Sequence, residues 1–191
     1  MAEGETVRGS TAKSKKTSSL SGPSVTKLDT LRQKLQALSE HELSTKVLVP
    51  LLKCLGYHDV AYHGGPDEHG KDIICWGYDE IGDLRVSVAQ AKLYKPSRRA
   101  KDAQSFGGIV TQLSQAVEQQ VPHPDGLLYP PKAVYFITPY ALDTRALQSR
   151  FEGLQAIRHR VSIIEGTKLA SLVAQRLPSV TAQLLGGSFE I

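Results

Sequence analysis

Two spacings of apolar residues divide this chain. From Leu28 to Leu55 the apolar positions recur every three or four residues, as Leu31, Leu35 and Leu38, then Leu43, Val47, Leu51 and Leu55. That is one face of a helical repeat, so helices are predicted over residues 28–38 and 40–55, the second ending at Gly56. Ser39-Glu40-His41-Glu42 reads as a capping box for the second helix, with Ser39 at the N-cap and Glu42 at N3. Beyond Gly56 the period shortens to two. Strands are predicted at 59–62, 72–76 and 84–94, the last two joined as a hairpin through the Gly, Asp and Glu turn residues of 77–83. A helix follows over 106–120, starting near Gly107-Gly108, and its Gln112 and Gln115 face either solvent or a cleft. The remainder predicts a loop over 122–131, a fully buried strand over 133–137, a helix over 143–151, a strand over 161–165 and a helix over 167–177. Strands alternating with helices after a hairpin imply a mixed α/β sheet with helices on both faces.

The hairpin also carries the candidate chemistry. Gln90 and Lys92 are two apart on the second strand and so face one side, with Ala89, Ala91 and Leu93 on the other. Asp72 opens the first strand, where antiparallel pairing brings it toward the end of the second if the register allows. A lone Asp before a strand is ordinarily a turn residue and a lone Lys a solvated one. Their joint occurrence with Gln90 is what points to a site. Mg²⁺ prefers oxygen ligands and keeps several waters, so Asp72, the Gln90 side-chain oxygen and the Ala91 carbonyl suffice when a substrate phosphate supplies more. Lys92 then lies beside the attacking water and offsets charge developing in the transition state.

The segments GGPDEHGKDI, the QAK triplet, KAVYFITPYALDTRAL and VSIIEGTKLASLV together resemble the Mrr-like branch of the PD-(D/E)xK restriction-endonuclease superfamily, over roughly Glu40 to Leu177. The resemblance implies a restriction-endonuclease-like mixed central sheet flanked by helices on both faces. It implies a Mg²⁺-dependent endodeoxyribonuclease, with Mn²⁺ as substitute, whose catalytic residues are Asp72, Gln90, Lys92 and Glu68. Members of that branch use glutamine where most of the superfamily has a carboxylate, and precede the catalytic strand with a glycine turn. Here the turn reads Glu68-His69-Gly70-Lys71-Asp72, with Glu at its first acidic place. The family also carries a glutamate on its first helix, for which Glu40 and Glu42 are the candidates; capping is the favoured role of Glu42, and the position reached by counting back from the Leu55-Gly56-Tyr57 turn holds Thr45. Restriction of foreign DNA in the cytoplasm is the implied setting. The competing reading is a catalytically silent DNA-binding module on the same fold. A homodimer, a regulatory or sensor domain, and a partner protein are each compatible with both readings.

Charge refines the picture only when divided. Of a formal net charge of +4 over 191 residues, residues 1–27 hold +3, from Arg8, Lys13, Lys15, Lys16 and Lys27 against Glu3 and Glu5. That Ser/Thr/Lys-rich stretch is predicted as a disordered basic arm or a solubilising leader, with one domain over 28–180 and a tail or the start of a linker over 181–191. Lys95, Arg98, Arg99 and Lys101 cluster just after Lys92, with Tyr94 among them, and are the candidates for gripping double-stranded DNA. Lys71 is read as a further nucleic-acid contact or a surface charge. Cys54 and Cys75 match no zinc or redox spacing and are read as structural thiols. A site combining carboxylate with His63 and His69, which flank the glycine turn, is a minor reading. No apolar run is long enough for a membrane span or a signal peptide.

Overall fold

A computed structural model describes residues 25–63, 71–93, 105–142, 145, 149 and 158–186. Its centre is a five-stranded sheet in the order β1-β2-β3-β6-β7. The strands are β1 (Asp59–Tyr62), β2 (Ile73–Tyr78), β3 (Leu84–Ala91), β6 (Ala133–Ile137) and β7 (Val161–Ile164). β1, β2 and β3 pair antiparallel, and β3, β6 and β7 pair parallel, so the sheet is mixed as expected. The β2–β3 turn is closed by the Asp79 side chain, which accepts from the backbone N–H groups of Ile81 and Asp83, and by Gly82 at φ +88. Only glycine enters that conformation without strain.

Alternation along β2 and β3 sends side chains into two cores. Ile73, Cys75, Ala89 and Ala91 face one side, against Leu31 and Leu35 of α1 (Val25–Gln36), Leu51 and Leu52 of α3 (Val49–Cys54), and Leu169 and Val173 of α5 (Gly166–Arg176). Ile74, Trp76, Val86 and Val88 face the other, against Phe106, Ile109, Leu113 and Val117 of α4 (Phe106–Glu118). The two layers of helices therefore cover both faces. Each large aliphatic side chain so buried contributes about 1.5–3 kcal/mol relative to exposure.

The predicted helix over 40–55 is real but not regular. It begins as α2 (Glu40–Glu42), widens to a π-helical turn at Leu43–Leu48 and resumes as α3. The cause lies in Pro50, which has no N–H for the Lys46 carbonyl and whose ring would strike that carbonyl in an α-helix. The wider turn, with Val49 N–H bonded to the Ser44 carbonyl, carries the chain past it. The predicted loop over 122–131 instead holds a small hairpin, β4 (Val121–Pro122) with β5 (Leu128–Tyr129). Within it Asp125 accepts from Leu127 N–H and from the Tyr129 hydroxyl. α1 begins at Val25, ahead of the predicted Leu28, and a further helix α6 (Pro178–Leu184) buries Thr181. Of the helix predicted over 143–151 only Arg145 and Ser149 are described, both helical.

Candidate active site

Polar residues collect at the end of the sheet where β2 begins and β3 ends. The register pairs Ile73 with Ala89, and one step further along both strands Asp72 stands level with Gln90. Both are buried, at 3% and 1% exposure. By alternation their side chains share the face of Ile74 and Val88, the one covered by α4.

Two hydrogen bonds set the Asp72 position. Its Oδ2 accepts the Ala91 backbone N–H at 2.5 Å, and its carbonyl accepts the His63 N–H at 2.8 Å. A carboxylate held by a backbone N–H of the opposite strand is a charge-assisted contact, about twice as strong as a neutral one. Gln90 is fixed from α4: its Nε2 donates to Gln112 Oε1 at 2.7 Å. That leaves Gln90 Oε1 buried without a hydrogen-bond partner among the described residues. Such an acceptor costs about 1–3 kcal/mol when it stays unmatched.

Lys92 follows directly. Its N–H donates to the Ile137 carbonyl at 2.9 Å, which continues the parallel pairing one residue past β3. Its ammonium lies 3.9 Å from Glu40 Oε1. The Glu40 carboxyl is held above the ordinary carboxylate range, chiefly by burial. Lys92 and the Leu93 N–H pull it down, and the charge of Asp72 pushes it up. Glu40 therefore feels both Asp72 and Lys92.

The two helix glutamates thus divide their roles. Glu42 forms the capping box with Ser39 and an ion pair with Lys46 at 2.9 Å, and its carboxyl is lowered to about 2, first by the Lys46 bond and then by Ser39. Glu42 takes the favoured capping-box role at N3 with Ser39 as N-cap, and Glu40 is the one near Lys92 of the strands. Thr45 bonds the His41 carbonyl of its own helix at 2.7 Å.

Of the two readings of Lys71, the surface charge is corrected, because the side chain is buried. It is 9% exposed, its ammonium donates to Gln119 Oε1 at 3.0 Å, and burial lowers its pKa. Of the two α4 glutamines left undecided by the sequence, Gln112 reaches the site strands and Gln115 is exposed. Glu68, His69, Tyr94, Lys95, Arg98, Arg99 and Lys101 lie outside the described residues. His63 is exposed, and no group of three His, Cys, Asp or Glu suited to a metal occurs among the described residues. The assembled set is therefore mixed: one buried carboxylate, one buried amide oxygen, a lysine, and a half-exposed glutamate.

Comparison with protein families gave no match, and neither did comparison with curated proteins. Among solved structures the chain is similar to the DNA modification-dependent restriction endonuclease AspBHI, at 12% identity and a TM-score of 0.47. The likeness covers 93% of this chain and 44% of that one, so the chain spans less than half the length of that enzyme.

Proposed function

We propose that this chain is a divalent-metal-dependent endonuclease that hydrolyses DNA phosphodiesters, of the Mrr-like kind its motifs resemble, in restriction of foreign DNA. The observation that carries the reading is the unpartnered Gln90 Oε1, buried beside the Asp72 carboxylate with Lys92 two residues on. A hard cation relieves that orphaned oxygen, and the donors around it suit Mg²⁺ or Mn²⁺. Asp72, Gln90 Oε1 and the Ala91 carbonyl would hold the ion, with Glu40 facing it. When bound it supplies Lewis-acid polarisation of the phosphoryl oxygens and a more acidic water.

The chain's own residues do the remainder. The Ala91 N–H and Gln112 fix the two oxygen donors before substrate arrives, so no reorganisation is needed at the moment of reaction. Lys92 places a positive charge where the phosphorane-like transition state gains negative charge, with Glu40 as its counter-charge.

Supercoiled plasmid incubated with Mg²⁺ or Mn²⁺, with and without chelator, tests the reading. The parent chain is expected to nick and linearise it only with free metal, and Asp72→Ala to be inactive. Plasmid bound tightly and left intact under all conditions makes the chain a silent binding module instead.

A further inference from the structure

Two charged residues are buried among those described, and they are consecutive: Lys71 at 9% exposure and Asp72 at 3%. Asp72 belongs to the candidate metal site. The Lys71 ammonium is tied instead to the C-cap of α4, where it donates to Gln119 Oε1 at 3.0 Å. An amide brings no net charge. No carboxylate of the described residues pairs with Lys71, whereas Lys46, Lys92 and Lys132 pair with Glu42, Glu40 and Asp79. The last carbonyls of α4 supply at most about half an elementary charge. Buried charges are ordinarily paired, because an uncompensated one is costly to take out of water. Lys71 is therefore a buried cation short of an anion. It is not sealed off, since Gln119 beside it is only half-buried and Gln120 is exposed.

We propose that Lys71, held by Gln119, is a phosphate subsite that takes a non-reacting phosphate of the DNA strand whose scissile phosphate lies at Asp72 and Gln90. The inference rests on the nuclease reading for the identity of the ligand. A phosphodiester is the anion that reading brings to this end of the sheet, and it supplies the charge that Gln119 cannot. The spacing agrees. Gln112, which accepts from Gln90, and Gln119 are seven residues apart on α4, so they lie about 10 Å apart along the helix and within about 20° around it. About 10 Å is the axial rise of about three nucleotides of one strand, so a single strand spans both anchor points. Lys92 acts on the phosphate that reacts, and Lys71 fixes the register of the strand that carries it. The Gln119 bond orders the ammonium beforehand, which leaves less side-chain freedom to lose on binding.

Duplex affinity measured in chelator over a range of salt concentrations is the test. Lys71→Gln keeps a donor for Gln119 and removes only the charge, so it is expected to fold with a urea midpoint near that of the parent; Lys71→Met is the second charge-free variant. The slope of log K against log salt is expected to be shallower by about 0.9 in either variant, the share of one phosphate, and Lys71→Arg to keep the parent slope. A folded charge-free variant with the parent slope overturns the proposal, and so does a parent chain that binds no duplex. A lowered urea midpoint with an unchanged slope also overturns it, and leaves Lys71 as the cation that complements the end of α4. Plasmid cleavage run beside the titrations separates the two ideas. A chain that cuts with metal while Lys71→Gln leaves the slope alone keeps the nuclease reading and loses this one. A chain that never cuts but shows the Lys71-dependent slope does the opposite.

Discussion

At the scale of single residues, the proposed site divides into groups that hold position and groups that would face the reaction. On the proposed reading Lys92 belongs to the second kind. Lys92→Ala is expected to lower the cleavage rate about a hundredfold or more while leaving DNA affinity nearly intact, because one charge among many contacts is a small part of binding. Single-turnover rates alongside equilibrium titrations check it, and cleavage at the parent rate removes Lys92 from the mechanism. Gln90→Leu keeps the volume and the strand, and exchanges an orphaned oxygen for an unpaired Gln112, so stability should change by less than about 2 kcal/mol while cleavage is lost with either metal. Glu40 and Glu42 offer a contrast within one turn of helix. Glu40→Gln is expected to impair cleavage without altering the melting temperature, and Glu42→Gln the reverse.

The Glu42 effect carries a sign. Its carboxyl is near 2 when folded, against an ordinary 4.5, so its stabilising contribution is complete above about 4.5 and disappears as the pH falls toward 2. Urea midpoints measured from pH 5 to pH 2 should therefore fall less steeply in Glu42→Gln than in the parent. Parallel slopes would remove the capping box as the cause.

At the scale of elements, the close approach of α5 to the loop after β6 is the most exacting contact. Gly166 starts α5, and a Cβ there would meet the Pro139 carbonyl oxygen at 2.4 Å, the same oxygen that accepts from Gln36 of α1. Gly166→Ala forces three elements apart and is expected to cost about 1–3 kcal/mol by overpacking, read as a lowered urea midpoint with unchanged slope.

The elements also mark what a sequence can tell. The β2–β3 hairpin, β6, β7 and α5 were all legible, because each combines a period with clear turn residues. The register was not legible, because helices cover both faces of β2 and alternation alone cannot choose between two buried faces. The β4–β5 hairpin was hidden because two-residue strands are too short to show alternation, and Pro122-His123-Pro124-Asp125-Gly126 reads as a turn throughout. The choice between Glu40 and Glu42 was hidden for a different reason. Which one faces the strands depends on the rotation of the helix, and a π-turn shifts that rotation by an amount that no 3.6-residue projection contains. Pro50 was the available signal.

At the scale of the whole molecule, the two cores of the described residues lie on opposite faces of the sheet, and β3 contributes to both and to the candidate site. Cys75, in the middle of β2, reports on that arrangement. Its thiol is buried, donates to the Ser87 carbonyl at 3.3 Å and is pushed up to about 12 by burial, whereas Cys54 is exposed at the end of α3. The native protein is expected to react rapidly with one equivalent of a disulfide reagent, and with a second only at the rate of global opening. Fast reaction of both thiols would show that β2 is not held as described. Among the described residues no helix is long and apolar enough to cross a membrane.

The neutrality of Gln90 has a consequence for the order in which ligands arrive. A pair of carboxylates here would leave the empty cleft strongly anionic and would turn away a polyanion until a cation had bound. With an amide in one of the two places, Lys92 balances one of the two remaining carboxylates, Asp72 and Glu40. On the proposed reading, DNA therefore loads first and completes the site for its own metal, so association in chelator should be nearly as fast as association with Ca²⁺. An enzyme of this design can patrol duplex DNA unarmed and become competent only where it stops.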